Sequence, residues 1–224
     1  MSFNPYQVTK DFEQALCEYT GAPFAVAVNS CSAALLLAVE WHLRGLVITY
    51  LEGWKEWHGH QIRVEARPTL KIDIPRRTYI SVAQSIILAG GRPTFRDEEW
   101  RGAYQLKPLP VWDCACRFTS GMYVAGQFQC VSFAARKILG AEQGGAILHD
   151  NEAADKWFRK MRFDGRTEGL AVADDTINLI GTHCLMIPSV AATLLLRLHH
   201  LPKHNNDLSG ASDYPDISKH PAFQ

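Results

Sequence analysis

The sequence predicts an α/β fold, a three-layer sandwich whose mainly parallel central sheet is covered by helices on both faces. Three observations predict it. Short apolar runs of strand length alternate with segments of helical periodicity. Runs such as Val111–Asp113 and Cys130–Phe133 read as buried strands. The chain has 224 residues, 47% hydrophobic and 21% charged, which suffices for a sizeable core. Residues 1–204 are expected to form one large domain with a divergent insertion at about 41–70. Residues 205–224, rich in Asn, Asp, Ser, Gly and Pro, are expected to form an irregular tail.

The elements follow in order. Val8, Phe12 and Leu16 recur at helical spacing over residues 8–19, and Gly21 supplies a stop. Phe24–Val28 is a strand, Asn29 and Ser30 turn the chain, and Ser32 is expected to cap a helix running to about Leu43. Residues 45–70, with Trp54, Trp57, His58 and His60, carry no readable pattern. Lys71–Ile74 is a strand ended by Pro75, Ile80–Leu88 a helix closed by Gly90-Gly91, and Arg92–Phe95 a strand. Val111–Asp113, Cys130–Phe133 and Ala146–His149 are further strands. Helices are expected at Glu152–Phe163 and at Pro188–His200, the latter with proline near its start and Pro202 beyond its end.

Composition narrows the function classes. Twenty-three basic residues balance 23 acidic ones, so no charge excess points to nucleic acid or to an anionic membrane surface. The longest apolar run, Ala33–Val39, is far short of a membrane span. The N-terminus shows no basic region followed by an apolar one, so no signal peptide is expected. Six scattered cysteines, several in apolar runs, fit a reducing cytoplasm better than a disulfide scaffold. Cys114 and Cys116 stand as C-x-C and His58 and His60 as H-x-H, whereas zinc sites favour C-x-x-C pairs, and no metal is expected.

One constellation carries chemistry. Lys137 follows the Gln129–Phe133 strand and precedes Gly140 and the Gly144-Gly145 turn, while Asp113 ends an apolar run. In parallel sheets ligands sit beyond the carboxyl ends of strands, where both residues belong. A lysine to form a Schiff base and an aspartate to hold a ring nitrogen protonated suggest pyridoxal 5'-phosphate (PLP). Ser30, Cys31, Ser32 and Ala33 lie where a strand turns into a helix, whose N-terminus suits a phosphate, and Ser132 adds a hydroxyl. Tyr79 can stack on the cofactor ring, and Arg76 and Arg77 can hold an anionic substrate group. Taken singly these are ordinary residues: a surface lysine, a turn aspartate, a helix cap. Their order along the chain gives them weight.

That order resembles the DegT/StrS family of sugar aminotransferases, fold-type-I PLP enzymes. Val28-Asn29-Ser30-Cys31-Ser32-Ala33-Ala34-Leu35 is similar to the family's phosphate-binding turn, and Ile74-Pro75-Arg76-Arg77-Thr78-Tyr79 to its Pro-x-x-Thr-aromatic motif. Ala89-Gly90-Gly91-Arg92-Pro93-Thr94-Phe95, Trp112-Asp113-Cys114-Ala115 and Ser132-Phe133 through Lys137 to Glu142-Gln143-Gly144-Gly145-Ala146 resemble its strand, acidic and lysine motifs. Arg162-Phe163-Asp164-Gly165-Arg166 and Gly181-Thr182-His183-Cys184-Leu185-Met186 resemble later landmarks, so the likeness spans about residues 8–204 with a gap at 41–70.

The resemblance implies Lys137 as Schiff-base lysine and Asp113 as pyridinium partner. It implies Ser32, Ala33 and Ser132 holding the phosphate, Ser30 and Cys31 beside them in the cofactor-binding turn, Tyr79 over the ring, and Ala115 and Cys116 beside the cofactor. The implied reaction moves an amino group from an amino acid donor to a keto sugar, usually nucleotide-linked, in a cytoplasmic homodimer with shared active sites. His183 stands where the family has an asparagine that reaches a neighbouring subunit's phosphate, and Cys116 where it has Gln or His. The family's C-terminal small domain exceeds the room in 224 residues, so a shortened form is expected. Two rivals remain: a truncated chain that binds PLP or a nucleotide without turnover and serves as a binding or assembly partner, and a PLP-dependent sugar dehydratase. The dehydratases replace the lysine with histidine, so Lys137 favours transamination.

Overall fold

The computed structural model describes residues 4, 6–44, 51–57, 60–66 and 69–223. Helix α1 (Gln7–Thr20) ends where Gly21 takes a left-handed φ of 81° and returns its N–H to Cys17. Strand β1 (Phe24–Val28) leads into helix α2 (Cys31–Leu43). The α2 cap differs from the sequence expectation. Ser30, with extended backbone, accepts from the Ala33 N–H, so Ser32 lies inside the first turn.

Of the insertion expected at 41–70, residues 41–43 finish α2, and β2 (Leu51–Trp57) and β3 (His60–Ala66) pair as an antiparallel hairpin. His58 of the H-x-H pair lies outside the described residues. Then come β4 (Lys71–Pro75), α3 (Ile80–Leu88), β5 (Arg92–Arg96), β6 (Tyr104–Leu106), β7 (Val111–Asp113), β8 (Phe128–Ser132), β9 (Gly145–His149), α4 (Glu152–Met161) and α5 (Pro188–His199).

The central sheet has the order β1-β9-β8-β7-β6, and β4 pairs with β5 in parallel. An Asp73–Lys107 bridge, with both backbone N–H groups donating across it, ties β4 to the end of β6. The expected mainly parallel sheet is mixed, and most neighbouring pairs are antiparallel. β1–β9, β8–β9 and β6–β7 run antiparallel, and among the described residues β7–β8 and β4–β5 are the parallel strand pairs. The reversal comes from two strands, β6 and β9. Following the pairings, β1, β8, β7, β4 and β5 all point one way. Their carboxyl ends therefore still share one edge.

Successive side chains of a strand face opposite sides, and here both sides are buried. Val26, Val28, Cys130 and Ile147 join α2, α3 and α4 residues such as Leu35, Ile86 and Phe158 in one core. Ala25, Ala27, Val131 and Leu148 join Phe12 and Leu16 of α1 and Ala191 and Leu194 of α5 in the other. Two cores flanking one sheet make the three-layer sandwich.

Two buried polar groups tie the layers. Glu13 of α1, 4% exposed, accepts from the Ala27 N–H at 2.8 Å, from Arg159 at 2.7 Å and from Arg162. Burial opposes its charge, but Arg162 and Arg159 prevail and hold its carboxyl below the usual range. His149, the last residue of β9, is fully buried and stacked on Phe128 with rings 5.6 Å apart. Its Nδ1 accepts from the Asn151 N–H at 3.3 Å, and its Nε2 lies 3.8 Å from Asp155 Oδ1. Burial pushes this imidazole down to about 4.

Candidate functional site

The shared edge of β1, β4, β7 and β8 gathers the chemistry. β1 hands over to the α2 N-terminus through Asn29, whose N–H donates to Cys184 O at 2.9 Å. β7 ends at Asp113, and β8 ends at Ser132, from which a tight segment carries Lys137. The Lys137 N–H donates to Ala134 O at 2.8 Å, and the Ala141 N–H to Phe133 O at 2.8 Å, closing that segment on itself. Gly140 is required there: a Cβ would meet Ala135 O at 2.7 Å and Lys137 O at 2.9 Å. Gly145 lets β9 pass the α2 terminus, since a Cβ would meet Cys31 N at 2.5 Å.

These elements enclose a cavity of about 550 Å³. It brings together Ser30, Cys31, Ser32, Tyr79, Asp113, Ala115, Cys116, Ser132 and Lys137 of the residues singled out in the sequence. Ala33 stands behind the wall, its N–H given to Ser30 Oγ at 3.1 Å. His183 lies elsewhere, 72% exposed, with Nδ1 2.9 Å from Asp164 Oδ2. Arg76 and Arg77 do not line the cavity. Arg76 pairs with Asp97 at 2.9 Å, and Arg77 is exposed. Another cavity, of about 780 Å³, lies by α1 and α4 among Lys10, Glu13 and Arg159, away from Lys137.

Asp113 is 6% exposed, and both its oxygens are engaged. Oδ2 accepts from the Tyr104 hydroxyl at 2.7 Å and Oδ1 from the Ala115 N–H at 2.9 Å. Burial raises its pKa, and Tyr104, Ala115 and the Lys137 charge pull the other way. The Tyr104 hydroxyl also meets Thr78 Oγ1, and burial pushes its pKa well up. Lys137 Nζ donates to Cys116 Sγ at 3.4 Å, and Ser32 Oγ to Ser81 Oγ at 2.7 Å. Burial likewise raises the Cys31 thiol, which donates to Cys130 O at 3.6 Å.

Sequence reasoning missed Tyr104, Trp100, Ser209 and Tyr214. Tyr104 sits directly opposite Asp113 in the β6–β7 register, on a three-residue strand too short to show a period. Trp100 and Tyr214 line the cavity, the latter from the tail read as irregular. That tail is irregular in backbone but packed: Ala211 is fully buried and Ile217 is 4% exposed.

The architecture is that of the fold-type-I PLP-dependent transferases. CalS13, a sugar aminotransferase of Micromonospora echinospora, superposes with a TM-score of 0.64 at 16% identity, over 87% of this chain and 61% of its own. DesV of S. venezuelae, solved with a ketimine intermediate, gives 0.61 at 21% identity, over 87% and 57%. Helicobacter pylori PseC, an aminotransferase of pseudoaminic acid biosynthesis, gives 0.61 at 16%, over 88% and 58%. The chain thus spans less than two thirds of each of these proteins. No curated protein matches its sequence.

The sequence pattern of the DegT/DnrJ/EryC1/StrS aminotransferase family matches residues 2–49 and 120–210, more than half of the chain. The protein belongs to that family.

Proposed function

We propose that this protein is a PLP-dependent aminotransferase that moves an amino group from an amino acid donor to a keto sugar, nucleotide-linked in the preferred case. One observation carries the reading: Lys137 and the buried carboxylate of Asp113 line the same 550 Å³ cavity, beside the α2 N-terminus. The donor set fits the cofactor. Its heterocyclic nitrogen needs an acid held in place, and Asp113 is fixed by Tyr104 and Ala115. Its phosphate needs N–H and hydroxyl donors, and Ser30, Ser32 and Ser132 stand at or near a positive helix end.

The cofactor supplies an aldehyde that takes up the donor's amine and a ring that accepts the electron pair left on the donor carbon. The protein's own groups do the rest. Lys137 is the covalent anchor, and its Nζ takes the proton released at the donor carbon and later delivers one to the acceptor carbon. Asp113 keeps a proton on the ring nitrogen, which the surrounding low dielectric strengthens once the charges are paired. Tyr79, which lines the cavity and is 61% exposed, would cover the cofactor's ring. Lys137 separates this reading from a dehydratase. We further propose a cytoplasmic homodimer in which His183, which does not line the cavity of its own subunit, serves the partner's site.

The test is a half-reaction. Purified protein loaded with PLP and then given glutamate should lose its aldehyde-linked absorbance and release 2-oxoglutarate in a single turnover. A loaded protein whose spectrum is unmoved by glutamate and by a panel of other amino acids would instead be a binder without turnover.

A further inference from the structure

We infer that the C-terminal segment 207–217 is a built-in wall of the site, and that Ser209 and Tyr214 are positioning residues for the Lys137 amine, acting through Cys116. The inference rests on the reading of Lys137 as the cofactor's anchor. The strap is held along its length. Asp207 forms two hydrogen bonds with Arg117, at 2.7 and 3.0 Å. The Leu208 N–H donates to Cys116 O at 3.0 Å, and Ser209 O accepts from the Gly102 N–H at 2.9 Å. The Ala211 N–H donates to Trp100 O at 3.0 Å, and the Ile217 N–H to Arg76 O at 2.9 Å. The Tyr214 ring lies 5.6 Å from Trp100 at an interplanar angle of 30°. The family pattern ends at residue 210, so Tyr214 lies beyond the matched stretch.

The polar groups converge on one atom. Cys116 Sγ, 2% exposed as a residue, receives Lys137 Nζ at 3.4 Å and the Ser209 hydroxyl at 2.8 Å. The Tyr214 hydroxyl lies 3.4 Å from the same sulfur. A thiol has two lone pairs and one proton. With Lys137 and Ser209 both donating to the sulfur, the remaining contact is with the Tyr214 hydroxyl, in which either atom can donate and which in either sense constrains where the S–H can lie. Tyr214 thereby limits which way the S–H lies, and Ser209 holds the sulfur in place. The lysine then keeps a fixed acceptor and a fixed direction into the cavity. Without the tyrosine hydroxyl the S–H is free to turn toward Nζ, and the amine loses that direction.

The experiment reads attachment, not turnover. PLP is mixed with the full chain, trapped with borohydride at successive times, and the label at Lys137 is quantified by peptide mass spectrometry. Tyr214→Phe keeps the ring against Trp100 and should slow attachment about fivefold, as expected for one lost hydrogen bond, with an unchanged melting temperature. On a Cys116→Ala background the same change should have no further effect, because the relay is already cut. Cys116→Val, which also lacks a polar atom at this position, provides a second background should the alanine variant not fold. An unaltered rate in Tyr214→Phe overturns the inference alone. So does a fivefold loss that persists without the thiol. A wild-type chain that takes no label at Lys137 overturns the proposed function, and this inference falls with it.

Discussion

The buried histidine at the end of β9 makes stability depend on pH in a calculable way. His149 is fully buried, and burial holds its folded pKa at about 4, against 6.5 in the unfolded chain. The charged groups acting on it are Asp155 and Asp150, which favour the proton, and Arg159, which opposes it. Because the folded pKa is depressed, the unfolded chain binds a proton between pH 6.5 and about 4 that the native state refuses. Stability from this group is therefore complete above pH 6.5 and is lost as pH falls. At about 1.4 kcal/mol per pH unit, the loss between pH 7 and pH 5 is about 2 kcal/mol. Urea unfolding of wild type and His149→Gln at pH 7, 6 and 5 measures it, since other carboxylates titrate alike in both. The wild-type advantage should shrink by about 2 kcal/mol over that range. A gap between the two proteins that stays constant with pH would refute the neutral buried imidazole.

Three further outcomes are expected. Glu13→Ala strands the fully buried Arg162 with Glu168 as its remaining acidic partner and should cost about 3–5 kcal/mol in urea unfolding. Asp113→Asn should abolish amino transfer without lowering the melting temperature of the cofactor-free chain. The fold raises the Asp113 pKa, so its carboxylate is a growing liability as pH rises through that raised value, and the variant's relative melting temperature should climb from pH 4 to pH 8. Tyr104→Phe removes the donor to Asp113 Oδ2 and should weaken PLP binding about tenfold or more in a fluorescence titration, with the fold retained.

Much of the fold was legible because its elements are long or strongly periodic. α1 and α5 carry an apolar stripe, and β1, β8 and β9 are apolar runs bounded by turn residues. Strand direction was not legible, since a buried run reads the same either way. The connections held the missing signal. Residues 107–110 between β6 and β7 are too few for a parallel crossover, which needs a dozen or more residues and usually a helix. Residues 133–144 between β8 and β9 contain no helix, and they return the chain antiparallel. At the site, Asp113 and Lys137 were readable because each follows an apolar run. Tyr104 was not, because its partner is set by strand register, and Tyr214 was not, because a tail of turn-forming residues has no period to place it.

The covalent anchor is the claim on which the functional reading turns. An absorption spectrum of the PLP-loaded chain, taken before and after borohydride reduction and repeated with Lys137→Ala, tests it directly. Wild type should show an imine band that reduction fixes irreversibly to Lys137, and the variant should show no reducible band. A chromophore that is reduced onto the Lys137→Ala chain as readily as onto wild type would contradict the account.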